Sequence, residues 1–212
     1  MNQLNLPLGP VAGAQEGQFI VSEANARAVH HIEHWGAWPV AAALLTGPRK
    51  SGRSLLGRIF AARSGGRVID DAERQDEETL FHAWNHAQAE RRPLLIIADV
   101  PPPEWPIALP DLRSRIAATP VERIAPPDDA LIVQLIQRGL DARALYSRPD
   151  VAAWLAGRIE RSYVAIERVV DLLETEARSR DRRRLSVQRA REWLDAAGLL
   201  IDEPTMEETE KL

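Results

Sequence analysis

The sequence predicts an α/β domain built on a shortened parallel sheet, followed by a small all-helical domain. Three observations carry that expectation. Residues 40–60 run as an apolar segment, a glycine loop and a helix-period face, the grammar of a strand–loop–helix unit. Leu94-Leu95-Ile96-Ile97-Ala98 is apolar on both faces, as a central parallel strand requires. Beyond Pro126-Pro127 apolar residues recur only at helical spacing, and no further strand is legible. Strands alternating with helices argue for a parallel sheet, and four strands are expected in all.

Composition sets the outer bounds. The 212 residues are 45% hydrophobic and 27% charged, which suits a globular chain that buries its own core and excludes collagen-like or wholly disordered architectures. The net charge of −4 argues against a constitutive nucleic-acid coat but leaves room for a local basic patch. Cysteine is absent, which removes disulfides, thiolate zinc sites and cysteine nucleophiles together. No apolar run approaches membrane-spanning length, and no charged-then-apolar leader pattern opens the chain.

Residues 1–18, punctuated by Gly9, Pro10, Gly13 and Gly17, read as a flexible tail whose early apolar content is Leu4, Leu6 and Leu8. Ser22 or Asn25 caps a helix whose inner face carries Ala28, Val29, Ile32 and Trp35, and Pro39 ends it. Val40 to Leu45 is the first strand. Leu55, Leu56, Ile59 and Phe60 give the next helix its buried face, and Ser64-Gly65-Gly66 stop it. Arg67 to Asp71 is a short strand ending in two acids. Glu77 to Ala89 is a helix with Leu80, Phe81 and Trp84 inward, and Pro93 precedes the central strand. In the second domain Leu131, Ile132, Leu135 and Ile136 share one helical face, and Val151 to Leu155 form a short helix. Ile159, Tyr163, Ile166, Val170 and Leu173 make a core stripe. Ala190, Trp193, Leu194 and Ala197 belong to a last helix stopped by Gly198. The expected divisions are 1–18, 19–126, 127–200 and an acidic end at 201–212.

One motif carries chemistry. Gly47-Pro48-Arg49-Lys50-Ser51-Gly52-Arg53-Ser54 fits the phosphate-loop pattern G-x-x-x-x-G-K-[ST] except at Arg53, where the pattern has lysine. The glycines let backbone N–H groups converge on phosphate at a helix N-terminus. Arginine keeps the charge, but its planar fork replaces a compact ammonium, so phosphate binding is expected more readily than hydrolysis. Lys50 is a partial substitute. Ser54 stands where a hydroxyl holds Mg²⁺, and Asp70 and Asp71 are the strand-end acids suited to the same ion. Against these stand blander readings: a plain glycine turn, and acids that merely solvate a strand end.

Further segments carry a resemblance. Gln3-Leu4-Asn5-Leu6-Pro7-Leu8 looks like the N-terminal clamp-binding motif of the Hda family, the DnaA-related AAA+ regulators that inactivate the replication initiator. Asp99-Val100-Pro101-Pro102 resembles the first sensor segment of the DnaA family. Leu109-Pro110-Asp111-Leu112-Arg113-Ser114-Arg115 resembles its arginine-finger segment, and Pro126-Pro127-Asp128-Asp129 the start of its helical lid. The order holds from the tail to about residue 200. Only 15 residues separate Ser54 from Asp70, where an AAA+ domain fits two helices and two strands, so one strand and its connection are missing. Asp70/Asp71 is therefore either the true metal-binding pair or a fused remnant. Alignment places the lid's second-sensor arginine at Val164; Arg161, three positions earlier, stands in for it, with Arg168 one turn beyond Val164.

The resemblance implies a negative regulator of replication initiation, cytoplasmic in a bacterium and associated with the nucleoid. Gln3, Leu4, Leu6 and Leu8 would engage the DNA polymerase III sliding clamp. Arg115 would act as an arginine finger in trans on ATP held by DnaA. Gly47 to Ser54, Asp99 and Arg161 would hold nucleotide, ADP rather than ATP, with Mg²⁺ at Ser54, Asp70 and Asp71. DNA near the clamp and a second copy of the chain complete the partners, and no membrane is among them. Two other readings compete: an autonomous P-loop ATPase in replication or repair, and a catalytically inert adaptor. The plainer reading of Arg115 is a surface salt bridge, and Arg113 is expected to support Asp111 or the junction between the domains. Seven arginines between Arg178 and Arg191, with Asp181 the one acid among them, form either a DNA- or DnaA-facing patch or a solvated surface. Trp35, Trp38, Trp84, Trp154 and Trp193 are read as packing. The pairs His30/His34 and His82/His86 lack an evident third metal ligand.

Overall fold

The computed structural model describes residues 19–201. The clamp-motif residues Gln3, Leu4, Leu6 and Leu8 and the acidic stretch from Asp202 lie outside the described residues. The chain divides into two compact units, the first ending at Ala125 and the second beginning at Pro126.

The first unit is built on a four-stranded sheet of order β2-β3-β1-β4, with every pair parallel. Strand β1 spans Ala42–Thr46 and β3 Leu94–Ile97, and both are buried along their whole length. They pair centrally, with Leu44 opposite Ile96. The edges are β2, Arg67–Ile69, and β4, Val121–Arg123. Both are only three residues long and carry charge, which blunts an edge against unwanted pairing. Strand β4 was not legible in the sequence. Its Val-Glu-Arg is partly exposed, and its place is fixed by pairing with β1 rather than by an apolar run.

Side-chain alternation then divides the core. Ala42, Leu44, Leu94 and Ile96 join Leu80, Ala83 and Trp84 of α3, Glu77–Glu90, and Leu112 and Ile116 of α4, Pro110–Ala117. On the opposite face Ile97 meets α2, Arg53–Ser64, at Gly57, where an added Cβ would lie 2.8 Å from the Ile97 methyl. Helix α1, Ala26–Glu33, buries Ala28, Val29 and Ile32 as its pattern predicts. Trp35 falls outside it, in a 3-10 turn, and packs edge-on against Phe60, while Trp38 stacks on Phe60 with ring centroids 5.6 Å apart.

The second unit is all helical: α5 Asp129–Ala142, α6 Pro149–Ala156, α7 Tyr163–Ser179 and α8 Val187–Ala196. Its core gathers Ile132, Ile136, Leu155, Ile166, Val170, Leu173, Trp193 and Leu194. The stripe expected from Ile159 onward is corrected at its start. Ser162 accepts a hydrogen bond from the Ala165 N–H and caps α7, so Ile159 is buried in the preceding turn and not in the helix. No helix among the described residues is long and apolar enough to cross a membrane.

Candidate nucleotide site

The loop Gly47–Gly52 joins the C-terminal end of β1 to the N-terminus of α2. Three of its residues have positive φ: Gly47 at 148°, Lys50 at 66° and Gly52 at 89°. Glycine is required at the first of these by space as well as by φ. A Cβ on Gly47 would stand 2.7 Å from the Ile124 carbonyl oxygen, and one on Gly52 would stand 3.0 Å from the Phe19 ring. The Ser51 hydroxyl is buried and, among the described residues, has no hydrogen-bond partner. A loop of this conformation at the head of a 12-residue helix suits phosphate, with backbone N–H groups and the helix dipole serving the anion. Pro48 is half-buried, whereas Arg49 and Lys50 are exposed.

Arg53 does not extend toward that loop. It is 9% exposed and reaches across to the end of β3. One terminal nitrogen donates to the Ala98 carbonyl, the other to the Asp99 carboxylate. A planar fork serves two acceptors at once; an ammonium has no such geometry. Arg53 and Asp99, both expected to face nucleotide, are thus joined to each other. Ser54, next along α2, is exposed.

The register of the parallel strands brings Thr46, Asp70 and Asp99 to one end of the sheet. Asp70 is half-buried and accepts from the Asp71 N–H at 3.0 Å. Asp71 is exposed, with a positive φ of 49°. The acid that touches the Arg53–Asp99 pair is Glu73, to which sequence reasoning gave no role. Its Oε1 accepts from the Asp99 N–H at 3.1 Å, and its Oε2 is buried without a partner. The available signal was spacing: a 3-10 turn at Ala72–Arg74 returns the third residue after Asp70 toward β3. Among the described residues no cluster of three His, Asp or Glu side chains is arranged to hold a metal. Mg²⁺ needs only one or two carboxylates alongside phosphates and water.

Arg115 lies in the last turn of α4 and is exposed. Its guanidinium carbon sits 4.7 Å from the Trp84 ring centroid and 5.8 Å from that of Phe81. Trp84 Nε1 donates to the Thr119 hydroxyl at 3.0 Å, and that hydroxyl donates to the Arg115 carbonyl at 2.8 Å. The side chain therefore rests on a fixed aromatic platform, and among the described residues it has no carboxylate at ion-pair distance. Arg113 does not support Asp111 as expected. It donates to the Ile107 and Ala108 carbonyls and fastens the loop before α4, because those acceptors lie beside its own helix start.

In the second unit Arg161 pairs with Asp129 at the N-terminus of α5, and Arg168 is exposed. Asp128 caps α5 by accepting from the Leu131 N–H at 2.8 Å. Burial, then the charge of Asp128, pushes the Tyr163 phenol up to about 12. The histidine pairs are local: the His30 and His34 rings lie 4.1 Å apart, and His86 contacts Glu90.

No family model matches the chain. Solved structures do resemble it in fold. Domain III of the Thermotoga maritima replication initiation protein DnaA superposes with a TM-score of 0.71 at 15% identity, covering 89% of this chain and 98% of that one. AMPPCP-bound DnaA from Aquifex aeolicus gives 0.59 at 17% identity, over 78% and 69% of the two chains. The T. maritima RuvB Holliday junction branch migration motor gives 0.59 at 15% identity, over 87% and 69%. The chain has the DnaA- and RuvB-like AAA+ fold, reduced to a four-stranded parallel sheet with a helical second unit.

Proposed function

We propose that this chain is a DnaA-related regulator that stimulates ATP hydrolysis by the initiator and does not itself turn over nucleotide. The observation that carries the reading is the state of its two key arginines. Arg53, in the position of the phosphate-loop lysine, is committed to Asp99 and Ala98. Arg115 is exposed on a rigid platform at the end of α4. A chain whose own phosphate cation is occupied but whose finger candidate is presented outward suits action in trans. The loop glycines and the orphan Ser51 hydroxyl suit a bound nucleotide that serves structure, ADP in preference to ATP, with Mg²⁺ at Ser54 and the strand-end acids. This chain's residues hold that nucleotide, and Arg115 offers its guanidinium to charge developing on the neighbour's γ-phosphate. Gln3, Leu4, Leu6 and Leu8 bind the sliding clamp and bring the regulator to replicating DNA.

The test is decay of DnaA-bound ATP in the presence of DNA-loaded clamp. Wild type is expected to accelerate it, and a Gln3/Leu6/Leu8→Ala variant is expected to lose both clamp binding and acceleration. Acceleration that survives loss of clamp binding would remove the clamp from the account. A second reading, an inert adaptor, is favoured by one observation: Arg115 already has a structural partner in Trp84. It predicts clamp binding without any effect on DnaA.

A further inference from the structure

The arginine-rich segment of the second unit is not uniformly solvated. Arg178 and Arg180 are neutralised by Glu174 and Glu176 on their own helix, at 2.6 and 3.0 Å. Arg191 lies over the Trp154 ring, and Arg189 donates to the Arg184 carbonyl. That leaves Arg182, Arg183 and Arg184, all exposed and, among the described residues, without a carboxylate at ion-pair distance. They lie in the non-helical connection between α7 and α8. Asp181, just before them, is the nearest acid in sequence and is itself exposed.

The backbone of this run is fixed by an isolated parallel bridge. The Tyr146 N–H donates to the Arg183 carbonyl and the Leu185 N–H to the Tyr146 carbonyl, both at 2.8 Å, which pairs Tyr146 with Arg184. Paired residues of a bridge point to the same side, and their chain neighbours point to the other. Leu145 and Leu185 are the neighbours, and both are buried. Tyr146 and Arg184 consequently stand side by side facing outward. Tyr146 is 67% exposed, the most exposed large hydrophobic side chain among the described residues. Unpaired cations beside an uncovered aromatic ring, held by main-chain hydrogen bonds, are a pre-organised surface on a chain whose net charge is −4.

We infer that Tyr146, Arg182 and Arg184 form a binding surface for single-stranded nucleic acid. The two arginines take phosphates, and the tyrosine ring stacks on an unpaired base. Stacking is what separates this ligand from duplex DNA, whose bases are not open to the ring, and from an acidic protein surface, which would use the charges and leave the ring idle. The inference does not depend on the clamp or DnaA reading.

The test uses the full chain and fluorescence anisotropy with labelled oligothymidylate, the same length of duplex, and polyglutamate as a competing polyanion, between about 50 and 200 mM salt. Two phosphate contacts predict a log–log salt slope of about −1.4 for a single strand. Tyr146→Ala is expected to weaken binding about tenfold, Tyr146→Phe to retain it, and Arg182→Ala/Arg184→Ala to lower the slope by about 1.4. Unchanged melting temperatures are expected for these exposed positions. Absence of strand binding at low salt, equal affinity for duplex, indifference to Tyr146→Ala, or displacement by polyglutamate at equal charge would each overturn it.

Discussion

The guanidinium of Arg53, at the first turn of α2, donates to the carboxylate of Asp99, at the end of β3, and is thereby engaged away from the phosphate loop. Asp99 is held in turn by Glu73 through its backbone N–H. Helix α2, the central strand and the turn after β2 are joined at this point.

That pair predicts measurable coupling. Asp99→Asn leaves the buried Arg53 guanidinium with a neutral acceptor in place of a carboxylate, and should cost about 1–3 kcal/mol of stability. A double-mutant cycle of Arg53→Ala and Asp99→Asn, followed by urea denaturation, should return a coupling of about 0.5–3 kcal/mol. Strictly additive effects would mean that the two side chains do not act together.

The central sheet predicts a large cavity effect. Ile96 is fully buried, with Leu44 and Ile69 as its strand partners. Ile96→Ala should cost about 2–5 kcal/mol, a substantial share of a typical domain's total. In the second unit Ser162→Ala removes the α7 cap and should cost about 1 kcal/mol. Thermal unfolding monitored by circular dichroism checks both, and equal small shifts would contradict the packing described.

His31 predicts a pH dependence. Burial foremost lowers its imidazole pKa, with Arg27 and His30 adding to the effect and Glu122 opposing it. Its ring stacks on Trp38, 5.5 Å between centroids. The folded chain therefore takes up this proton at lower pH than the unfolded chain, whose histidine titrates near 6.5. The contribution is fully present above that value and is lost as pH falls through the lowered folded value. Denaturation midpoints measured across this range should fall for wild type and fall less for His31→Gln. Parallel slopes would place the dependence elsewhere.

The fold was legible where apolar residues recur in a regular period. Leu94–Ile97 and the glycine loop announce a parallel sheet before any pairing is known, and Tyr163 to Leu173 announces a helix. Strand β4 escaped because Val121-Glu122-Arg123 has no apolar face of its own, and its pairing with β1 decides it. The site was legible as a list of residues but not as contacts. Nothing in the sequence says that Arg53 turns toward Asp99, that Glu73 joins them, or that Trp84 and Thr119 hold Arg115. Those depend on side chains from separate elements meeting, which local spacing does not encode.

The most direct measurement is single-turnover hydrolysis of ATP bound to DnaA, with DNA-loaded clamp, comparing wild type with Arg115→Ala. Clamp binding and melting temperature would be taken on the same preparations. The account predicts that Arg115→Ala still binds the clamp and melts within a few degrees of wild type, while the stimulated rate falls by about 10³-fold or more. Stimulation that persists in Arg115→Ala, or that is absent from wild type bound to the clamp, would contradict it.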